Sequence, residues 1–207
     1  VEFFDRLLPR QLDTEGAALL QKMMEDMGFV FYLGAKTEKI LGDPNVQGVQ
    51  LDSGTVIDSD LVLFSTGVRS RLELAEKLGI ETDKSIVVNP SMETSGKGIY
   101  AAGDAVQVEG MNFCIWPEAQ EQGRVAGINM AGGKESFKRI VPSNRLKVAG
   151  INLASAGDID QENRLEHEKE KDETVYKKIV KKDGAVVGCI MLGNTDGFSD
   201  IVKTMKA

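Results

Sequence analysis

Cysteine is scarce in this chain, with only Cys114 and Cys189 among 207 residues. They stand far apart and form no C-x-x-C. That excludes a thiolate metal cluster or redox dithiol built from this sequence and points to a reducing, cytoplasmic compartment. His167 is the single histidine; it lies in a charged stretch without ligand spacing, so no metal site is expected. Long apolar runs are missing as well. None approaches the roughly 20 residues of a membrane span, and no basic-then-apolar leader opens the chain. Cationic residues are the minority, 25 against 32 acidic, for a net charge of -7. That balance excludes a nucleic-acid-binding face. No G-x-G-x-x-G occurs, so the turn that cradles a dinucleotide pyrophosphate is not among these residues. The first residues, Val1-Glu2-Phe3-Phe4, lack an initiator Met and look like the end of a strand. We read the chain as a piece of a longer protein.

What is present suits a globular fold. Hydrophobic residues make up 42% and charged residues 28%, enough for one or two cores. Leu12-Asp13-Thr14 opens a helix with Asp13 or Thr14 as N-cap and Glu15 in the first turn. Leu19, Leu20, Met23, Met24 and Met27 recur at helical spacing until Gly28, a pattern of core packing. Four short strands follow, over 29–33, 35–41, 46–51 and 55–57, joined by Gly42-Asp43-Pro44-Asn45 and Asp52-Ser53-Gly54 turns. Residues 60–67 form an apolar run ending in glycine, expected as a strand buried on both faces. A short helix (72–79), a strand (86–88) and a longer helix from Trp116 to about Met130 come next, with Pro117 at a first-turn position. Beyond residue 136 we expect a strand over 146–155 with Gly150 as a bulge, a solvated charged loop or frayed helix over 161–173, and a hairpin. The hairpin joins 175–180 to 185–192 through Asp183-Gly184. A last helix spans Ser199 to Lys206. Lys177, Lys178, Lys181 and Lys182 read as edge-strand protection, and Cys114 as a buried small hydrophobe.

The stretch that carries chemistry is Thr94-Ser95-Gly96-Lys97-Gly98-Ile99-Tyr100-Ala101-Ala102-Gly103-Asp104. It reads as a strand over Ile99–Ala102 that ends in glycine and then a carboxylate, where an open α/β sheet holds its ligand. The acceptor-only carboxylate of Asp104 suits paired hydroxyls. Gly103 spares an approaching ligand a Cβ.

This stretch resembles the second flavin motif of the FAD-dependent pyridine nucleotide-disulfide oxidoreductases. Nearly the whole chain is similar to the carboxyl-terminal half of such proteins, of the NADH:rubredoxin oxidoreductase and NADH-dependent nitrite reductase flavoprotein type. Val1-Glu2 with Arg6-Leu7-Leu8-Pro9-Arg10-Gln11-Leu12-Asp13 resembles the second strand of the NAD domain and its loop. Leu61 to Arg69 resembles the crossing back to the FAD domain, with Ser70 where most relatives carry Pro. Trp116 to Gly132 resembles the helix that faces the flavin ring, and Leu146-Lys147-Val148-Ala149-Gly150 with Tyr176 to Gly193 is similar to the small C-terminal domain. The resemblance implies an α/β class, partial FAD/NAD(P)-binding three-layer domains with a β-meander, plus a small α+β C-terminal domain. The implied division is 1–68 for the NAD domain, 69–135 for the FAD domain and 136–207 for an interface domain.

The resemblance further implies Asp104 and Gly103 at the flavin ribityl chain, the amides near Glu118 and Ala119 at the ring, Gly67 at the crossover, and Glu2 at the adenosine ribose. An acid at position 2 favours NAD(H) over NADP(H). No residue is singled out as catalytic. The implied activity is hydride transfer from NADH to FAD and electron transfer onward. The acceptor is a small electron-carrier protein, a sirohaem nitrite-reducing module, oxygen or a disulfide, and a homodimer is possible. A non-catalytic interaction or assembly module is the alternative. FAD and NAD(H) belong to the parent protein, and neither is expected on this piece alone.

Overall fold

The computed structural model describes residues 1–112, 114–138 and 141–205. They form two compact units, Val1–Phe64 with Val141–Ala207, and Ser65–Ile140. Among the described residues no helix is long and apolar enough to cross a membrane.

In the first unit, helix α1 spans Thr14–Glu25 and is capped by Asp13, whose Oδ1 accepts the Gly16 N–H at 3.0 Å. Residues 29–33, expected as a strand, form none of the described strands, though backbone bonds tie this segment to the chain start. Glu2 N–H donates to the Tyr32 carbonyl at 2.8 Å and Ala35 N–H to the Glu2 carbonyl at 3.0 Å. Strands β1 (Thr37–Leu41), β2 (Gly48–Leu51) and β3 (Val56–Asp58) make the expected antiparallel meander.

The same unit holds a five-stranded antiparallel sheet of β6 (Ser143–Val148), β7 (Ile151–Gly157), β8 (Glu166–Lys171), β9 (Tyr176–Lys182) and β10 (Ala185–Leu192), in the order β6-β7-β10-β9-β8. The period-2 pleat divides its side chains between two cores. Ile151, Leu153, Tyr176, Ile190 and Leu192 pack with Leu12, Leu19, Leu20 and Met24 from α1 and its entry. Ala154, Ala156, Cys189 and Met191 pack with Phe198 and Met205, from and beside helix α4 (Phe198–Thr204). Lys206, the expected end of that helix, lies outside the described residues.

Two expectations here change. The 146–155 stretch is a hairpin, β6 to β7, because Ala149 and Gly150 both take positive φ (48° and 88°) and reverse the chain. The 161–173 stretch yields β8, an edge strand paired to β9 from Glu166↔Lys181 to Lys171↔Tyr176. Its charges stay largely in water while its backbone closes a ladder, the way natural edges are blunted.

In the second unit, helix α2 (Glu73–Lys77) precedes β4 (Ile86–Val88), which pairs in parallel with β5 (Val106–Val108). Helix α3 (Trp116–Met130) covers this pair. Val88, Met92, Val106, Val108, Val125, Ala126 and Phe137 form its core. Residues 99–102 make a single bridge, Tyr100 to Glu93, rather than a strand. The run over 60–67 is not a buried strand: Leu61 is 83% and Leu63 86% exposed. A strand buried on both faces needs hydrogen-bonded neighbours on each side, and no described strand pairs with this one.

Candidate functional site

A conformational demand builds the turn that carries Gly103 and Asp104. Ala102 is extended, and the chain then reverses through one 3-10 turn over Gly103–Ala105. Gly103 does this at φ +83°, where an L side chain is seldom found. Its N–H donates to Gln122 Oε1 at 2.8 Å, from a side chain buried on α3. A Cβ added at Gly103 would lie 3.7 Å from the Ala119 Cβ, an ordinary contact. Within the protein, glycine is needed here for its φ rather than for room.

Asp104 follows with an exposed side chain. Its backbone carbonyl is held from two sides, by Ser70 Oγ at 2.9 Å and Asn112 Nδ2 at 2.8 Å. Ser85, buried at the start of β4, reaches Ser70 Oγ at 2.9 Å and Asn112 Nδ2 at 2.7 Å. Asn112 Oδ1 accepts the Cys114 N–H at 3.1 Å. Cys114 is exposed at φ +50°, not the buried hydrophobe expected, because the chain turns there to enter α3.

At the head of α3, Ala119 N–H donates to the Ile115 carbonyl at 3.1 Å. Ala119 is therefore the first amide to close the helical ladder. The preceding turn, Trp116-Pro117-Glu118, carries the positive end of the helix dipole, and Pro117 has no N–H of its own. Trp116 is 75% exposed and the Glu118 side chain is buried. The turn of Gly103 and Asp104 and helix α3 are thus joined through the Gln122 side chain. Gly67, at φ +84°, stands on the segment that leads to Ser70.

Glu2 belongs to the other unit, where its Oε1 accepts the Phe4 N–H at 2.9 Å. Arg6 pairs with Asp5 at 3.2 Å and reaches Gln161 at 2.6 Å.

That unit also holds a polar knot that the sequence did not reveal. Lys178, expected as surface protection, is fully buried. Its Nζ contacts Asp13 Oδ2 at 3.2 Å and the Asp160 carbonyl at 2.7 Å. The Tyr176 hydroxyl donates to the same Asp13 oxygen at 2.7 Å. Burial first, and then that bond to Asp13, pushes the Tyr176 phenol well above its ordinary range. His167 sits on β8 with Nδ1 at 2.9 Å from the Leu165 carbonyl, and the described residues hold no cluster of three metal-ligating side chains.

Residues that sequence reasoning missed are Ser70, Ser85, Asn112 and Gln122. Gln122 had a usable signal: it lies one turn beyond Glu118 and Ala119 on the same helical face. Ser70 had stood out only as a replacement for the relatives' Pro; Ser85 and Asn112 are brought to it from distant positions and had no signal.

Residues 1–123 match the family model described as pyridine nucleotide-disulphide oxidoreductase. Residues 142–207 match the rubredoxin NAD+ reductase C-terminal domain. The chain is 34% identical over 192 residues to a nitrite reductase [NAD(P)H] of Bacillus subtilis, covering 91% of this chain and 24% of the relative. It is 32% identical over 191 residues to an NADH-rubredoxin oxidoreductase of Clostridium acetobutylicum, covering 90% and 47%. The crystal structure of NADH:rubredoxin oxidoreductase from C. acetobutylicum superposes with a TM-score of 0.75 at 29% identity, over 98% of this chain and 50% of that one. The chain thus spans about half or less of the length of these relatives.

Proposed function

We propose, on the premise that this chain belongs to the pyridine nucleotide-disulphide oxidoreductase family, that its whole protein passes hydride from NADH to FAD and electrons onward to an acceptor. The observation that carries this is the Gly103–Asp104 turn hydrogen-bonded to α3 through Gln122. An exposed carboxylate, a reversal set by glycine and a helix N-terminus make the donor and acceptor set that a flavin would require, so the residues present fit the group. Bound there, FAD supplies the hydride-accepting and electron-passing chemistry.

In this reading Asp104 accepts hydrogen bonds from the ribityl hydroxyls. Gly103, held by Gln122, sets the direction in which that carboxylate projects. The first turn of α3 presents its dipole toward the ring, where oriented amides and a positive helix end stabilise negative charge. The backbone near Glu118 and Ala119 forms that turn, with the Ala119 N–H already donating to the Ile115 carbonyl. Gly67 allows the crossover before Ser70. Glu2 accepts the adenosine ribose hydroxyls and disfavours a 2′-phosphate.

We further propose the three-part division 1–68, 69–135 and 136–207. The match of residues 142–207 to a rubredoxin reductase C-terminal domain supports it. The acceptor is a small electron-carrier protein, as the relatives' names suggest, in a cytoplasmic setting that scarce cysteine supports. A second reading, the flavoprotein portion of an NADH nitrite reductase, is favoured by the Bacillus subtilis relative. It requires cysteine-rich sequence able to hold an iron–sulfur cluster.

The test uses the whole protein. Asp104→Ala should weaken FAD binding by about 1.5–3 kcal/mol, the worth of a hydrogen bond to a charged group. Flavin retained equally through dialysis would refute the assignment.

A further inference from the structure

We propose that Ser70, Ser85 and Asn112 are positioning residues that fix the spacing between the Asp104 turn and the head of α3. This rests on the flavin reading of Asp104 and deepens it. The donors and acceptors can be assigned without ambiguity. The Cys114 backbone N–H can only donate, so the Asn112 atom 3.1 Å away is the carbonyl oxygen. That orientation turns Nδ2 toward the Asp104 carbonyl at 2.8 Å and Ser85 Oγ at 2.7 Å. Flipping the amide would set an oxygen against the Asp104 carbonyl and an NH₂ against the Cys114 N–H. Ser70 has one hydroxyl proton, and the Asp104 carbonyl takes it at 2.9 Å. In the Ser70–Ser85 contact, therefore, Ser85 donates.

The result is a directed chain. Ser85 donates to Ser70, Ser70 and Asn112 donate to the Asp104 carbonyl, and Cys114 donates back to Asn112. Four stretches of backbone are tied together: the segment after Gly67, the start of β4, the 3-10 turn, and the entry to α3. Both lone pairs of the Asp104 carbonyl are used, while its carboxylate stays exposed. The brace thus holds the backbone of Asp104 without competing for the side chain that would meet the flavin. Asn112 is the link that reaches α3, because Cys114 lies two residues before Trp116. Sites held through such supporting bonds keep the geometry that binding and catalysis need, and loosening them costs affinity without removing any contact to the ligand.

The experiment uses the whole protein stripped of flavin, with FAD affinity read by flavin fluorescence. Ser70→Val and Ser70→Thr are matched in volume and differ by the hydroxyl. Ser70→Val should weaken FAD about tenfold, the loss of one positioned hydrogen bond, and Ser70→Thr should restore it to within about threefold. Asn112→Leu should also weaken FAD and shift the flavin absorption bands, since it frees both the turn and the helix entry. In an Asp104→Ala background, Ser70→Val should cost clearly less, because the braced side chain is gone. Two results overturn the brace: Ser70→Val and Asn112→Leu both binding FAD like wild type while Asp104→Ala does not, or Ser70→Val costing the same in both backgrounds. If Asp104→Ala itself binds FAD normally, the flavin reading of Asp104 fails instead. Thermal unfolding of the flavin-free variants separates a loose site from a failed fold.

Discussion

Lys178→Met in the full chain is the perturbation whose magnitude the structure defines best. Lys178 and Asp13 are both almost wholly buried, with Nζ and Oδ2 3.2 Å apart. Asp13 also caps α1 through Gly16 and accepts from Tyr176, so its carboxylate cannot swing out to water without uncapping the helix. Methionine fills most of the lysine's volume but leaves Asp13 charged and the Asp160 carbonyl without its partner. Breaking a buried ion pair from one side costs about 3–5 kcal/mol. For a chain of this size that lowers Tm by roughly 6–20 °C.

Asp13→Asn keeps an N-cap acceptor and removes the charge. The double variant Asp13→Asn/Lys178→Met should therefore recover most of the loss and lie within about 1–2 kcal/mol of wild type. Urea unfolding followed by far-UV circular dichroism, with hydrogen exchange of the β9 amides, reads the unit concerned. The single tryptophan, Trp116, lies in the other unit and serves as an internal control. A Lys178→Met chain within about 1 kcal/mol of wild type would refute the reasoning. So would a double variant as unstable as the single one, because the cost would then be packing rather than charge.

Other outcomes follow from the same geometry. The Asp160 carboxyl is held below its ordinary range, first by the Leu165 N–H at 2.8 Å and also by the Lys178 charge. A depressed folded value stabilises above the unfolded value and is lost as pH falls through the folded one. Stability should therefore decline below about pH 4, and Asp160→Asn should flatten that decline in pH-dependent unfolding. For coenzyme choice, the whole protein should show a higher kcat/KM with NADH than with NADPH, and Glu2→Ala should narrow the gap. A wild type preferring NADPH would overturn the placement of Glu2 at the ribose.

Local signals survived folding wherever one stretch of chain satisfied itself. Asp13 capped α1, Pro117 opened α3, and Asp183-Gly184 closed the β9–β10 hairpin, because each depends on backbone groups a few residues away. The Gly103–Asp104 turn was legible for the same reason. The apolar run over 60–67 misled, because apolarity states a preference for burial and does not supply the neighbouring strands that achieve it.

By itself, then, the sequence determined the helices with the Asp13 cap, the meander, the β9–β10 hairpin and the family to which the flavin motif points. Those are set by φ/ψ preference, periodicity and side chains reaching nearby amides. Only the tertiary structure decided that Lys178 faces Asp13 and that Ser70, Ser85 and Asn112 meet at one carbonyl. Lys178 shares a face with Tyr176 because a strand alternates every second residue, yet which face meets α1 follows from how the sheet packs. A surface lysine and a buried ion pair read alike until another segment of chain arrives to exclude the water.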